Sequence, residues 1–157
     1  MKKLFYAGFL VIICMWQNAC IAPYDEQVTD ITPDYRDSLF RHIHDLKDEQ
    51  KLDSLYPFLQ HQDPTYRYQA AMAFASIRDT SSLDELSLLL QDKIDQVRAA
   101  AAFAIGQTGV ANAVTILSEA FDQTDTAGQY KLTNRAILEG IGRCGCLLYT
   151  SDAADES

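Results

Sequence analysis

Residues 63–77 read DPTYRYQAAMAFASI, and residues 94–108 repeat the pattern as IDQVRAAAAFAIGQT. Arg98 follows Arg67 by 31 residues, and Arg67 follows Arg36 by the same interval. A fixed period of this length indicates an array of copies of one structural unit, which is the signature of a solenoid.

Apolar side chains keep the same interval along the chain. Two of the clearest columns are Leu55, Leu86, Leu117 and Ile43, Phe74, Ile105. Within a unit the apolar residues recur every three or four positions, which is the period of an amphipathic helix and not of a strand. Two helices of about 10 to 14 residues fit into one unit. The sequence therefore predicts an all-α protein, a right-handed α-α solenoid of antiparallel helical hairpins.

The two helices of a unit differ in composition. The first is rich in alanine, as in Ala99–Ala102, whereas leucine dominates the second, as in Leu83, Leu86 and Leu90. Small side chains allow helix backbones to approach at the short end of the roughly 8 to 10 Å range of helix packing. We expect alanines at the junctions between units, with leucines beneath them.

These stretches resemble HEAT repeats of the short, bilin-lyase-like type. The resemblance is carried by residues 63–67 and 70–74 in one unit and by residues 95–98 and 101–109 in the next. It implies a HEAT-like superhelix that serves as a scaffold for protein contacts. None of the residues carries the lyase chemistry to which the name of the type refers, and most such repeats are not enzymes.

The repeat region spans roughly residues 32–145. We divide it into units at approximately 32–62, 63–93, 94–124 and 125–145. The fourth unit is out of register, because Gly142–Gly145 lies five residues beyond the position that Gly106–Gly109 predicts. A lengthened turn between Asp122 and Lys131 accounts for this shift.

The recurring arginines are expected near the start of each first helix. A column of this kind is compatible with a basic ladder for an anionic ligand, or with pairing to a nearby Asp and to turn carbonyls of the adjacent unit. We favour the pairing because the planar guanidinium suits it and because the chain carries a net charge of −9. This acidity also disfavours nucleic acid, whose phosphates are neutralised by Lys and Arg.

The N-terminus predicts export. Lys2 and Lys3 precede an apolar run from Leu4 to Trp16, which is short for a transmembrane helix but typical of a signal peptide. We expect the signal peptide to cover residues 1–19.

The end of this segment resembles a bacterial lipobox. Ala19 precedes Cys20, the residue that would take a diacylglyceryl group. An ordinary secretory signal with an incidental cysteine is the alternative. With Cys20 lipidated, residues 20–31 form a linker, and the protein is a lipoprotein of the bacterial cell envelope that faces the periplasm. Its contact with the membrane is then through the anchor alone.

The C-terminal stretch matches a sequencing-library adapter. Residues 146–155 are what the codons TGT CTC TTA TAC ACA TCT GAC GCT GCC GAC encode, which is a transposase adapter read in one frame. We therefore expect a non-native, adapter-derived tail over residues 146–157 and a natural chain that differs after Gly145. The Cys144–Cys146 pair is then accidental and is no redox or metal motif. Genomic DNA sequenced across codon 145 tests this expectation.

The sequence contains no recognisable catalytic, cofactor or metal-binding constellation. His42 and His44 are two residues apart, so their rings point about 200° apart on a helix and do not share one metal without other ligands. The acidic run from Asp45 to Asp53 lacks the glycine-centred spacing of a calcium loop, and we interpret it as a solvated face. The sequence predicts no enzyme, cofactor or metal in the residues present.

Two functions are compatible with these features. The first is a non-catalytic envelope lipoprotein whose solenoid binds a protein partner. The alternative is the N-terminal accessory region of a longer envelope enzyme, because residues 73–76 and 104–107 resemble repeats that can precede a cyclophilin-like peptidyl-prolyl cis-trans isomerase domain. Tyr68 is a candidate contact residue, since tyrosine is enriched at protein-binding hot spots. The sequence does not otherwise assign the binding face.

Overall fold

The computed structural model describes the backbone of residues 30–155 and the side chains of residues 30–145. Within these ranges the chain is helical throughout, with short connecting turns and no strand. The predicted signal peptide, Cys20 and most of the predicted linker lie outside the described residues.

First and second helices alternate along the chain. The first helices are α1 (Ser38–Asp48), α3 (Pro64–Ile77), α5 (Asp95–Gln107) and α7 (Lys131–Asp155). The second helices are α2 (Leu52–Leu59), α4 (Leu83–Leu89), which a 3₁₀ turn at Thr80–Ser82 precedes, and α6 (Ala111–Ala120). Each first helix packs against the first helix of the next unit. The architecture is an α-α solenoid, which confirms the predicted fold class.

Aspartates explain where two of the first helices begin. Asp37 caps α1, and its carboxylate accepts hydrogen bonds from two backbone N–H groups of the first turn. Asp63 caps α3, where its carboxylate accepts the Thr65 N–H and Pro64 is the first helical residue. An aspartate at the cap satisfies N–H groups that the helix leaves unpaired, and a proline in the first turn has no N–H to satisfy.

A left-handed residue follows both α3 and α5. Gly109 has a φ of 70°, and Arg78, which lies 31 residues earlier, has a φ of 62°. Glycine adopts this conformation without a Cβ penalty, whereas arginine does not. The predicted counterparts in the fourth unit behave differently, because Gly142 and Gly145 lie inside α7.

The predicted apolar columns form the core. The columns Leu55, Leu86, Leu117 and Ile43, Phe74, Ile105 are at most 1% exposed. Residues one repeat apart therefore occupy equivalent interior sites, as the sequence predicted. The first unit departs from this register near its start. There Phe40 is buried and Leu39 is half-buried, because α1 begins five residues late relative to the repeat.

The turn between α6 and α7 is lengthened, as predicted from the shifted glycines. It spans residues 121–130. Asn134 of α7 holds its beginning, since the side-chain amide donates to the Asp122 carbonyl and the side-chain oxygen accepts the Asp122 N–H. The Asp125 carboxylate accepts two backbone N–H groups at the end of the turn.

The crossing of α5 and α7 is close because glycines meet there. A Cβ added to Gly106 would lie 2.5 Å from the Cα of Gly140. One turn further along α7, the buried Cys144 places its Sγ 3.6 Å from the Gly106 carbonyl oxygen. Burial raises the pKa of the Cys144 thiol. This crossing requires residues without side chains, which the alanine-rich pattern indicated only in general terms.

Candidate protein-contact surface

Arg67 is buried at the junction between α3 and α5. Its side chain is only 8% exposed. The Nε and Nη2 atoms donate to the two carboxylate oxygens of Asp92 at 2.6 and 3.0 Å. Nη1 donates to the carbonyls of His61 and Gln62, in the turn before α3. The predicted structural pairing is confirmed at this position.

Arg98 occupies the equivalent position in the next unit and is 5% exposed. Its guanidinium donates to the carbonyls of Asp92 and Gln129 and to the Asp95 carboxylate. The same group lies 4.2 Å from the centroid of the Tyr130 ring. Arg98 therefore fastens the lengthened turn before α7 onto the start of α5, which again is the structural role.

Arg36 does not share this environment. It is exposed in the turn that precedes α1, where its backbone N–H donates to the Asp34 carboxylate. Arg36 lies near the start of α1, as expected, but two residues before its first residue, whereas Arg67 and Arg98 lie in the first turn of their helices. With Arg67 and Arg98 buried and paired, the three guanidinium groups do not form a continuous basic ladder.

The two histidines of the first unit point to different neighbours. The Nε2 of His44 lies 2.8 Å from the side-chain nitrogen of Gln69 on α3. The His42 ring lies 6.2 Å from the ring of Phe58 on α2. In the part of the chain that the structure describes, no group of three His, Cys, Asp or Glu side chains is placed to hold a metal ion.

An open groove crosses three first helices, and we call it the first-helix groove. It encloses about 380 Å³. It is lined by Tyr68 and Met72 of α3, by Gln96, Ala99, Ala100 and Phe103 of α5, and by Leu132, Arg135, Ala136 and Glu139 of α7. On each helix these residues recur at intervals of three or four, so they share one face.

The groove exists because small and large residues alternate across it. Ala99, Ala100 and Ala136 leave space between the helices, since a methyl group does not fill the gap. Met72 of α3 and Phe103 of α5 flank that space and are half-buried. Packing that leaves apolar side chains partly exposed in a concave surface is typical of a binding site.

The structure places the predicted contact residue Tyr68 in this groove, where it is half-buried. Sequence reasoning missed its neighbours Met72, Phe103 and Leu132. A signal was present for Met72 and Phe103, because Phe103 follows Met72 by the same 31 residues as the interior columns.

Charged residues at the groove lie on α7. The Nε of Arg135 donates to the Glu139 carboxylate at 2.9 Å, and both side chains are exposed. The guanidinium carbon of Arg143 lies 5.7 Å from the centroid of the Phe103 ring. An arginine over an aromatic face is a favourable cation–π arrangement. The groove therefore combines an apolar floor with an ionic edge.

Polar contacts accompany the apolar core at the junction between α1 and α3. The Tyr66 hydroxyl donates to the Asp37 carboxylate at 2.5 Å. This hydrogen bond is the main reason that the pKa of Tyr66 is raised to about 12. The same bond lowers the pKa of Asp37 from its usual value. Nearby, the Thr32 N–H donates to the Thr65 hydroxyl at 3.1 Å.

Stacked helical hairpins with an interior of repeated apolar columns define an α-α solenoid. More particularly, the sequence profile of the family described as HEAT repeats matches residues 52–130, just over half of the chain. The chain belongs to the HEAT repeat family. Its members generally serve as protein-interaction scaffolds and are typically not catalytic. No curated protein matches the chain in sequence. Among residues 30–155, no helix has both the length and the apolar character needed to cross a bilayer.

Proposed function

We propose that this protein is a non-catalytic scaffold and that the first-helix groove binds a segment of a partner protein. The observation that carries the proposal is the partly exposed apolar surface of Tyr68, Met72 and Phe103, gathered in one groove that three first helices share. Aromatic side chains that become fully buried on binding supply much of the energy of protein interfaces.

The position of the groove supports this role. It crosses α3, α5 and α7, so a bound segment would contact three successive units at once. Partly exposed side chains at equivalent repeat positions form the extended surfaces that solenoid proteins use for binding. An open groove of about 380 Å³ fits a few side chains of a longer segment.

Site-specific photo-crosslinking in cells tests the proposal. A photoreactive phenylalanine analogue is placed at Met72 in the groove or at Leu88, which is 67% exposed on the second helix α4. We expect a discrete protein adduct from position 72 and none from position 88. Equal adducts from both positions, or none from position 72, would contradict the groove as the binding site.

We further propose that the protein is an envelope lipoprotein anchored through Cys20 and facing the periplasm. The order of two lysines, an apolar run and Ala19-Cys20 supports this. Each lipid methylene buried in the membrane contributes about 0.8 kcal/mol to anchoring. Cells fed an alkyne-bearing fatty acid should label the wild-type protein and leave Cys20→Ala unlabelled. An unlabelled wild-type protein that is secreted normally would overturn the anchor.

A further inference from the structure

The charges of α7 are arranged as a stripe. Lys131, Arg135, Glu139 and Arg143 are four residues apart, so they follow one side of the helix. All four side chains are exposed. Three cations and one carboxylate make this stripe basic in a chain whose net charge is −9.

The basic stripe borders the first-helix groove. Arg135 lines the groove, and Arg143 lies over the Phe103 ring. The ion pair between Arg135 and Glu139 leaves the Arg135 guanidinium accessible to a ligand, because the two side chains are 78% and 52% exposed. Exposed pairs of this kind contribute at most about 1 kcal/mol, so a ligand carboxylate can compete for the guanidinium.

The other walls of the groove add no charge. Its residues on α3 and α5 are tyrosine, methionine, glutamine, alanine and phenylalanine. The charged residues that do occur within α3 and α5 are Arg67, Asp95 and Arg98, and they are engaged in contacts at the unit junctions. The charges at the groove are therefore those of α7, namely its cations and the Glu139 carboxylate, which is part of the groove lining.

The second helices carry the opposite charge. Within α2, α4 and α6 the charged residues are all carboxylates: Asp53, Asp84, Glu85 and Glu119. An acidic ligand would be repelled from this side of the solenoid and attracted to the groove side. Complementary charge of this kind sets the orientation of a partner and raises its association rate.

We infer that the segment bound in the first-helix groove is an acidic peptide with at least one large apolar side chain. The apolar side chain packs between Met72 and Phe103, and carboxylates of the same segment pair with Arg135 and Arg143. This inference rests on the proposed function and specifies the chemistry of its partner.

Selection from a displayed library of random 12-residue peptides tests the inference. The target protein is attached to the support through its N-terminal segment, residues 1–29, so that the groove stays accessible. We expect the selected peptides to be enriched in Asp and Glu around an aromatic or leucine residue. Their binding should weaken as ionic strength rises, because exposed charges are screened by salt.

Matched variants identify where the selected peptides bind. The double reversal Arg135→Glu with Arg143→Glu should weaken binding about tenfold or more. Arg36→Glu with Lys51→Glu makes the same change of net charge at exposed turn positions of the first unit, outside the groove lining, and should change binding less than about twofold. Melting curves of both variants show whether the fold is retained.

The outcomes separate this inference from the proposed function. Selected peptides that are basic or uncharged, and that lose binding with Phe103→Ala or Tyr68→Ala, would overturn the acidic chemistry and keep the groove. Equal weakening of peptide binding by the two double reversals would also overturn the acidic chemistry. Duplex DNA that competes with the peptides at equal affinity would overturn it as well. If no selected peptide depends on Phe103 or Tyr68, the proposed function itself fails.

Discussion

The junction between α1 and α3 differs from the two junctions that follow it. At the first junction the arginine is exposed, and a partly exposed hydrogen bond between Tyr66 and Asp37 lies beside the apolar core. At the later junctions a buried arginine is combined with close helix packing, as with Arg67 at one and Arg98 at the other. Equivalent repeat positions thus make different contacts at the edge of the described stack and in its interior.

The difference between the junctions arises from the surroundings of arginines at equivalent repeat positions. Arg67 reaches carbonyls in the turn before α3 and a carboxylate in the turn before α5, so turns on both sides enclose it. Arg36 lies in a turn at the edge of the described stack and is exposed. An arginine that recurs at the repeat interval can therefore make this contact, but the contact forms only where neighbouring units enclose the side chain.

Removal of the buried guanidinium should give the largest effect. Arg67→Ala leaves the Asp92 carboxylate, which is 10% exposed, without its cation. We expect the free energy of unfolding to fall by about 3 to 5 kcal/mol, because breaking a buried pair leaves an uncompensated charge. Arg36→Ala should change it by less than about 0.5 kcal/mol. Urea denaturation followed by circular dichroism measures both, and similar losses would show that the two junctions are equivalent.

A methyl group at the glycine crossing should have the next largest effect. Gly106→Ala places a Cβ 2.5 Å from the Gly140 backbone, so α5 and α7 must separate. We expect a loss of about 1 to 3 kcal/mol from overpacking. Gly142→Ala is the matched control, because a Cβ there meets nothing within 4 Å. That substitution should stabilise α7 by about 0.5 to 1 kcal/mol. If Gly106→Ala and Gly142→Ala shift the melting temperature in the same direction, the close crossing of α5 and α7 is refuted.

The smallest effect is expected at the first junction, and it should depend on pH. The folded state holds the Tyr66 proton more tightly than the unfolded chain, whose tyrosine has a pKa near 10.0. The contribution of this hydrogen bond is therefore present below pH 10 and is lost as the pH rises through about 12. The stability difference between wild type and Tyr66→Phe should shrink between pH 8 and pH 11.5. A difference in urea midpoint that stays constant over this range would count against the bond.

The lowered pKa of Asp37 predicts the opposite dependence in acid. Its carboxylate binds a proton less readily in the folded state, so its contribution is lost only as the pH falls through the lowered folded value. The difference in the free energy of unfolding between the wild type and Tyr66→Phe should therefore also shrink in acid.

Much of the architecture could be predicted from periodicity. The 31-residue interval placed Leu55, Leu86 and Leu117 in equivalent interior sites, and the shifted glycines indicated the long turn before α7. The interval failed at Arg36, since a local cap at Asp37 determined where α1 begins. A short-range hydrogen bond overrode the repeat there.

The candidate site was less predictable. Tyr68 was identified from residue type alone, whereas Met72, Phe103 and the α7 stripe form a groove only after three units are stacked. The distance between α5 and α7, and therefore the width of the groove, depends on a glycine contact between residues 34 positions apart in the chain. Local patterns do not report such a distance.

Repeat period, helix type and the interior columns were determined by the sequence by itself, because they follow from which side chains recur on one face of a helix. Only the tertiary structure decided which arginines are buried, how closely α5 and α7 approach, and which partly exposed side chains share a groove. These features depend on contacts between units, and such contacts form only when each helix has a neighbour to pack against.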